Sequence, residues 1–312
     1  MPGRPLIPKT LRLGTRASPL AMAQAHEAAD RLRAAHPGLE IVLVPVTTSG
    51  DKVLDRPLAE LGGKALWTKE LDVWLLGGEI DLAVHSLKDV ETIRPAAITI
   101  GAVLPREDVR DVLLGAASLA DLPPGARIGT SAPRRAAQAL HLRPDCRVVG
   151  IRGNVQTRLA KLEAGEADAT LLAMAGLNRL GMANLGTPLD PQDWLPAPGQ
   201  GAIAIECRTN DIEVQDLLAA IDHAPSRAAV TAERALLAAL GGSCHSPIAV
   251  LTSFIGDDLT LQAALLSPDG TERAEAVATF TASDLDGPAR VAAQLLAQAG
   301  PAITAHFDPP GG

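Results

Sequence analysis

The sequence predicts an α/β protein: two similar doubly wound α/β lobes followed by a small C-terminal α+β domain with a three-stranded antiparallel sheet. Three observations carry this expectation. Short β-like runs alternate with helical patterns from Leu11 to Ala173, the rhythm of parallel sheets covered by helices. The tetrads Arg12-Leu13-Gly14-Thr15 and Arg127-Ile128-Gly129-Thr130 are near copies, and each ends a strand pattern that leads into a helix start. Three further β-like runs near the C-terminus, closed by one helical pattern, suit an antiparallel meander.

The elements follow in order. Leu11–Thr15 is a predicted strand and Ser18–His36 a helix, with Ser18 as N-cap and Pro19 in the first turn, where proline is tolerated. Strand Ile41–Thr47, helix Thr68–Leu76, strand Asp81–His85 and strand Ile98–Leu104 complete the first lobe. The second reads strand Arg127–Thr130, helix Pro133–Leu142, strand Arg147–Ile151, helix Val155–Ala164 and strand Ala169–Ala173. Ala202–Cys207 is a further strand and Pro225–Leu240 a helix. Strands Ile248–Ile255, Leu259–Leu266 and Ala274–Phe280 and a helix near Leu285–Ala299 form the tail. The expected domains are 1–104 with 199–221, then 105–198, then 222–312.

Bulk properties narrow the function. The chain has 312 residues, enough for two or three cores. With no Tyr and 2% aromatics, the core must be built from Ala, Leu, Val and Ile. A formal net charge of −8 argues against a nucleic-acid binder. Lys occurs at only six positions (9, 52, 64, 69, 88 and 161), so Arg dominates the 28 basic residues. Composition bias explains most of that excess, but Arg also offers the planar fork that matches carboxylates. Cys146, Cys207 and Cys244 are too widely spaced for a disulfide framework or a metal pair, and no His/Cys/Asp ligand cluster implies a metal. The opening MPGRPLIPKT lacks the apolar run of a signal peptide, and no run of ~20 apolar residues occurs. A reducing cytoplasm and no membrane partner are the expectation.

Several places could carry chemistry. His85-Ser86-Leu87-Lys88-Asp89 begins where a predicted strand ends, the position that lines ligand crevices in α/β sheets. Taken alone, Lys88–Asp89 is better explained by a solvated surface pair. Arg134 and Arg135 lie in the first turn of a predicted helix, where cations oppose the helix dipole; an anionic ligand would offset that cost. Arg152, Arg158 and Arg179 follow in the same lobe. Cys244 sits in the Gly-rich turn Gly241-Gly242-Ser243-Cys244-His245, where a nearby His or helix dipole can favour thiolate. Pro198-Gly199-Gln200-Gly201 is either a hinge or a plain turn. Ser49–Leu66 is either a surface loop, which its composition favours, or a mobile lid.

The segments LGTRASPLAMAQ, LGGKALWTKELD, DLAVHSLKDV, REDVRD, IGTSAPRR, IRGNVQTRL, LLAMAGLNRLG, LPAPGQGAIAIECR and GGSCHSP occur in this order. Together they resemble the porphobilinogen deaminase (hydroxymethylbilane synthase) family, from about Leu11 to about Pro247. The resemblance implies a cytoplasmic, monomeric transferase whose first two domains are periplasmic-binding-protein-like. It would condense four porphobilinogen molecules head to tail and release hydroxymethylbilane after hydrolysis. Cys244 would hold a dipyrromethane cofactor by a thioether, and Asp89 would be the catalytic carboxylate. Lys88, Asp89, Thr130, Ser131, Arg134 and Arg135 would bind the cofactor. Arg16, Ser18, Gln24, Arg152, Arg158, Arg179 and Gln200 would bind substrate and growing chain. Ser49–Leu66 would be a lid. The sequence departs from the family pattern at Ser243 in the Cys turn, at Ala132 and Pro133 before the Arg pair, at Trp67 and at Val109.

The implied chemistry suits these residues. Porphobilinogen carries two carboxylates, so a growing chain needs many cations, and bidentate ones serve best. Loss of ammonia leaves a positive charge that a fixed carboxylate stabilises. Two other readings share the two-lobed fold: a carboxylate-binding receptor without catalysis and the sensing domain of a transcription regulator. The absence of a basic footprint and the third domain with its cysteine favour the transferase.

Overall fold

The computed structural model describes residues 10–46 and 68–310. These fall into two compact units. The first holds described residues 10–46, 68–106 and 202–227, the second 107–201 and 228–310. The expectation for Ser49–Leu66 lies outside the described residues.

In the first unit, β1 (Thr10–Arg16), β2 (Glu40–Val46) and β3 (Leu82–Ser86) are parallel, and β4 (Ile98–Val103) lies at the far edge. The order is β2-β1-β3-β10-β4, with β10 (Ile203–Arg208) antiparallel to both its neighbours. The sheet is therefore mixed, not parallel throughout as expected. β10 is supplied by a distant part of the chain and needs no crossover helix, so nothing constrains it to run parallel. Helices α1 (Pro19–Ala35), α2 (Lys69–Gly77) and α6 (Ile212–Ala219) complete the unit. α1 buries Ala25, Ala28, Ala29 and Leu32, the i, i+3, i+4, i+7 stripe of an amphipathic helix, against Leu13, Leu82 and Ile205.

The second unit repeats the scheme. β6 (Arg127–Gly129), β7 (Arg147–Val149) and β8 (Ala169–Ala173) are parallel, β5 (Asp111–Leu114) runs antiparallel to β8, and β9 (Thr187–Pro188) closes the edge, in the order β7-β6-β8-β5-β9. Helices α3 (Pro133–Leu142), α4 (Val155–Glu163) and α5 (Met174–Arg179) belong to this layer. The echoed tetrads occupy equivalent places. The Arg12 side chain and backbone N–H bond Asp81 just before β3, and those of Arg127 bond Asp168 just before β8. The likeness of the two tetrads is thus a shared strand-pinning device.

The tail is the expected meander: β11 (Ile248–Ile255), β12 (Asp258–Leu266) and β13 (Arg273–Thr281) pair antiparallel in sequence order. α7 (Ala224–Ala239), α8 (Gly287–Gln298) and the short α9 (Pro301–Thr304) pack Leu236, Leu240, Leu295 and Ile303 onto Leu261, Leu265 and Phe280. A smaller core of Ala137, Leu195, Ala249, Ala264 and Leu266 joins α3 to this sheet within the second unit. Strands β5 and β9 and helices α5, α6 and α9 were not expected from sequence. β5 is four residues long and buried throughout, too short for periodicity to identify.

Candidate active site

The first unit builds a polar hollow from the ends of β1 and β3. β1 stops at Arg16; Ser18 then takes an extended backbone and its Oγ accepts from the Ala21 N–H at 3.3 Å, capping α1 as its sequence predicts. β3 stops at Ser86 and passes into a single 3-10 turn, Leu87–Asp89. Leu87 is buried and donates its N–H to Ala202 O, which fixes the turn and leaves Lys88 and Asp89 half-buried. Gln24, buried on α1, donates from Nε2 to Ser86 Oγ at 2.8 Å. Arg16, Ser18, Gln24, His85, Ser86 and Asp89 line the resulting hollow of about 60 Å³. Four of the residues singled out in the sequence thus meet there. A guanidinium, hydroxyls and an amide suit an anionic group, and the Asp89 carboxylate suits a positive charge beside it.

A buried ionic network lies behind this hollow. Arg94 donates to both oxygens of Glu206 at 2.8 Å, to Asp72, and to Glu91 at 2.7 Å. Glu91, two residues past Asp89, also accepts from Thr68 Oγ1 at 2.8 Å. Nε2 of His85 lies 3.3 Å from Glu206 Oε2, off the line of a good hydrogen bond. Burial would raise Glu206, but His85 and Arg94 hold it below its ordinary range. At Asp72 burial prevails over Arg94 and the carboxyl is pushed up.

In the second unit the turn after β6 is filled differently. Arg134 Nη2 and Arg135 Nη2 each reach Asp111 at 2.7 Å, and all three side chains are buried. Trp194 Nε1 and Gln200 Nε2 donate to the same carboxylate at 2.8 and 2.9 Å. Arg134 Nη1 donates to Leu195 O and Arg135 Nη1 to Leu171 O. Burial pushes the Arg134 guanidinium below its ordinary value, with Asp111 opposing. Contrary to the expectation from the helix dipole, this helix start needs no ligand to offset its two cations, because the protein supplies its own anion, Asp111. Gln200, expected at the substrate, is turned inward onto Asp111 and Val109 O.

Of the other expected residues of this unit, Thr130, Ser131 and Arg152 sit at strand ends, Arg158 in α4 and Arg179 at the end of α5. Thr130 Oγ1 accepts from the Ala132 N–H, and Ser131 Oγ donates to Ile151 O. Arg152 is buried just beyond β7, Arg158 donates to Gly153 O, and Arg179 to Gly201 O. Thr130, Ser131 and Arg152 are therefore brought near one another through the β6 and β7 ends.

Cys244 lies in the turn after α7 and is exposed, whereas Cys146 and Cys207 are buried. Burial raises both buried thiols, Cys207 to about 11. Among the described residues no group of three His, Cys, Asp or Glu side chains is placed to hold a metal, and no helix is long and apolar enough to cross a membrane. Asp111 and the Arg94 network were not anticipated from the sequence, and His85 and Ser86 were named there only as part of their segment. Asp111 stood in the quoted REDVRD segment without a role, the one signal that could have flagged it.

Residues 11–216 match the family model for the porphobilinogen deaminase dipyrromethane cofactor binding domain, and residues 227–298 that for the porphobilinogen deaminase C-terminal domain. The chain is 55% identical to a porphobilinogen deaminase of Sphingopyxis alaskensis, over 95% of this chain and 96% of that one. It is 53% identical to one of Paracoccus denitrificans, over 84% and 85% of the two chains, and 49% identical to one of Xanthomonas axonopodis, over 94% and 97%. Among solved structures, the periplasmic VFT2 domain of Bordetella pertussis BvgS aligns at TM-score 0.41 and 16% identity, over 72% of this chain and 92% of that one, too loosely to bear on function. Two consecutive family models over most of its length, and relatives near half identity from end to end, place the chain in the porphobilinogen deaminase family.

Proposed function

We propose that the chain performs the family's reaction through the residues assembled above. It is a transferase that joins four porphobilinogen molecules head to tail on a dipyrromethane cofactor, releases ammonia at each addition and frees hydroxymethylbilane by hydrolysis. The observation that carries the residue assignment is the single accessible thiol. Cys244 is exposed on a Gly-rich turn, while the other two cysteines are buried, so only Cys244 fits a covalent anchor. Cys244 forms its S–C bond at the aminomethyl carbon of a porphobilinogen unit; the C–N bond breaks and the thiol proton leaves with the ammonia. When bound, the dipyrromethane supplies a nucleophilic pyrrole carbon to which the first substrate is joined.

The protein's own groups bind, orient and stabilise. Asp89 faces the positive charge that develops on the incoming pyrrole as its C–N bond breaks, a fixed carboxylate in a partly dry hollow. Arg16, Ser18 and Gln24 line the same hollow and take the substrate's carboxylates. Lys88, Thr130 and Ser131 take those of the cofactor, with Arg134 and Arg135 acting on them through their charge from behind the turn. Two guanidinium groups against the one carboxylate of Asp111 leave net positive charge behind the Thr130 turn, which supports this role. Arg152, Arg158 and Arg179 hold the growing chain, with Gln200 behind them as a positioning residue. We further propose a three-domain division, one per sheet, and a cytoplasmic monomer; three cysteines outside any disulfide accord with a reducing compartment.

Intact-mass measurement of the purified protein tests the anchor. An adduct of two pyrrole units is expected in wild type, Cys146→Ser and Cys207→Ser, and none in Cys244→Ser. Ehrlich's aldehyde reagent should colour the same three. An adduct that persists in Cys244→Ser overturns the assignment.

A further inference from the structure

The Cys244 turn is built against the end of the chain. α7 ends with Gly241 N–H donating to Ala238 O and Gly242 N–H to Leu237 O, so the chain leaves the helix at Gly241, whose φ is +62°. The next residues form a small closed turn. Ser243 N–H donates to Ser246 Oγ, Ser246 N–H to Ser243 O, and His245 N–H to Ser243 Oγ. Cys244 is exposed on this turn.

What holds the turn from below is not local. After α9 the chain passes through Ala305–Asp308 and crosses directly over Gly241. A Cβ on Gly241 would lie 1.6 Å from Asp308 O, so only glycine admits the crossing strand. Phe307 is buried in the core of Leu236, Leu237 and Leu240, and its Cδ1 lies 3.5 Å from where a Gly242 Cβ would stand. His306 and Phe307 donate their N–H groups back to Ile303 O and Thr304 O, continuing α9 into the crossing. The turn and the tail together bound an open hollow of about 310 Å³, with Gly241, Ser243, His245 and Ser246 on one side and Ala305–Asp308 on the other. The tail lies beyond residues 227–298, where the C-terminal family model stops.

We propose that Ala305–Asp308 is a positioning element for cofactor attachment, with Phe307 the wedge that holds the Gly241–Ser246 turn on which the exposed Cys244 thiol is carried. The proposal rests on Cys244 being the anchor. Phe307 acts through the two glycines that its segment packs against. Removing it takes away the packing that fixes the turn, while Ile303 and the α8 residues keep the small sheet's core.

The experiment uses full-length protein produced in cells unable to make porphobilinogen, so that Cys244 begins as a free thiol. Adduct formation with added porphobilinogen is followed by intact mass, and Cys244 alkylation by iodoacetamide in parallel. Phe307→Ala should gain its adduct more slowly than wild type, on the order of 10-fold, the scale of a misplaced reacting group. Iodoacetamide should still alkylate Cys244 readily, because a small reagent needs only exposure. Phe307→Leu, which keeps an apolar wedge, should recover most of the rate. If Phe307→Ala is insoluble, Gly241→Ala serves, since its methyl drives the tail off; it should show the same slow loading with ready alkylation. Loading at the wild-type rate in the variant assayed overturns the proposal. So does equal slowing of loading and alkylation, which would mean a general structural defect. An adduct in Cys244→Ser would instead refute the anchor itself, independently of the tail.

Discussion

The turns after β1 and after β6 begin alike and finish in opposite ways. Each starts from an Arg-x-Gly-Thr tetrad whose arginine is clamped to an aspartate before the third parallel strand. The first turn is then capped by Ser18 and stays open, with Arg16, Gln24, Ser86 and Asp89 around a hollow. The second has Ala132 at the cap position, without a side-chain bond, and is filled by Arg134, Arg135 and Asp111. One backbone device thus serves two electrostatic ends. The open copy keeps a carboxylate beside a cavity; the filled copy stores positive charge behind its turn. The difference lies in what the next few side chains reach, not in the strand–turn–helix scaffold.

The largest test breaks the filled copy. Asp111→Asn would leave two buried guanidinium groups against a neutral amide, and unpairing a buried charge costs about 3–5 kcal/mol. Chemical denaturation should show a loss of that size. A loss no greater than that of an exposed ion pair would mean the arginines find another counter-charge. The open copy should fail in rate, not stability. Asp89→Asn is expected to fold and keep its cofactor adduct while turnover falls about 100-fold. Steady-state rates near wild type would place the charge stabilisation on another group.

Two smaller tests address the shared scaffold. Ser18→Ala removes the cap of α1 and should cost about 1 kcal/mol in thermal unfolding, whereas Ala132→Ser should gain a few tenths at the uncapped α3. Opposite signs would confirm that the two turns differ in side chain alone; the same sign would show that their backbones differ. The clamps should differ least. Asp168 is held below the usual carboxylate range by its bond to Arg127; at Asp81 burial works the other way, but Arg12 and Arg208 outweigh it. Because both folded values are depressed, their stabilisation is present above the unfolded value near 4 and is lost as pH falls through the folded one. At pH 7, Asp81→Asn should cost up to about 1 kcal/mol. Asp168→Asn should cost less, since that pair is more exposed. Both differences from wild type should shrink on acidification, and a difference that grows toward acid pH would reverse the sign of the clamp.

Much of this molecule was legible in the linear chain because it is local. Ser18 and Pro19 mark the start of α1, Pro133–Leu142 is bounded by its own residues, and the meander strands announce themselves by length and alternation. The Cys244 turn was legible too, since a Gly pair after a helical run ends a helix wherever it stands. Direction within the sheets was not. β5 and β10 run antiparallel because of where the chain re-enters each sheet, which no window of residues contains.

The charges divide along the same line. Sequence alone determined that the second lobe concentrates arginines, and that Lys88 and Asp89 follow a strand end. Only the tertiary structure decided which of these charges meet one another. Asp111 lies 23 residues from Arg134, 83 from Trp194 and 89 from Gln200, yet one buried carboxylate accepts from all three. A buried charge must find its partners, but the partners are selected by which strand ends the fold brings together. The same holds for Phe307 and Gly241. A glycine in a turn is readable as a turn; that it must be glycine because the end of the chain crosses it at van der Waals distance is a fact of packing.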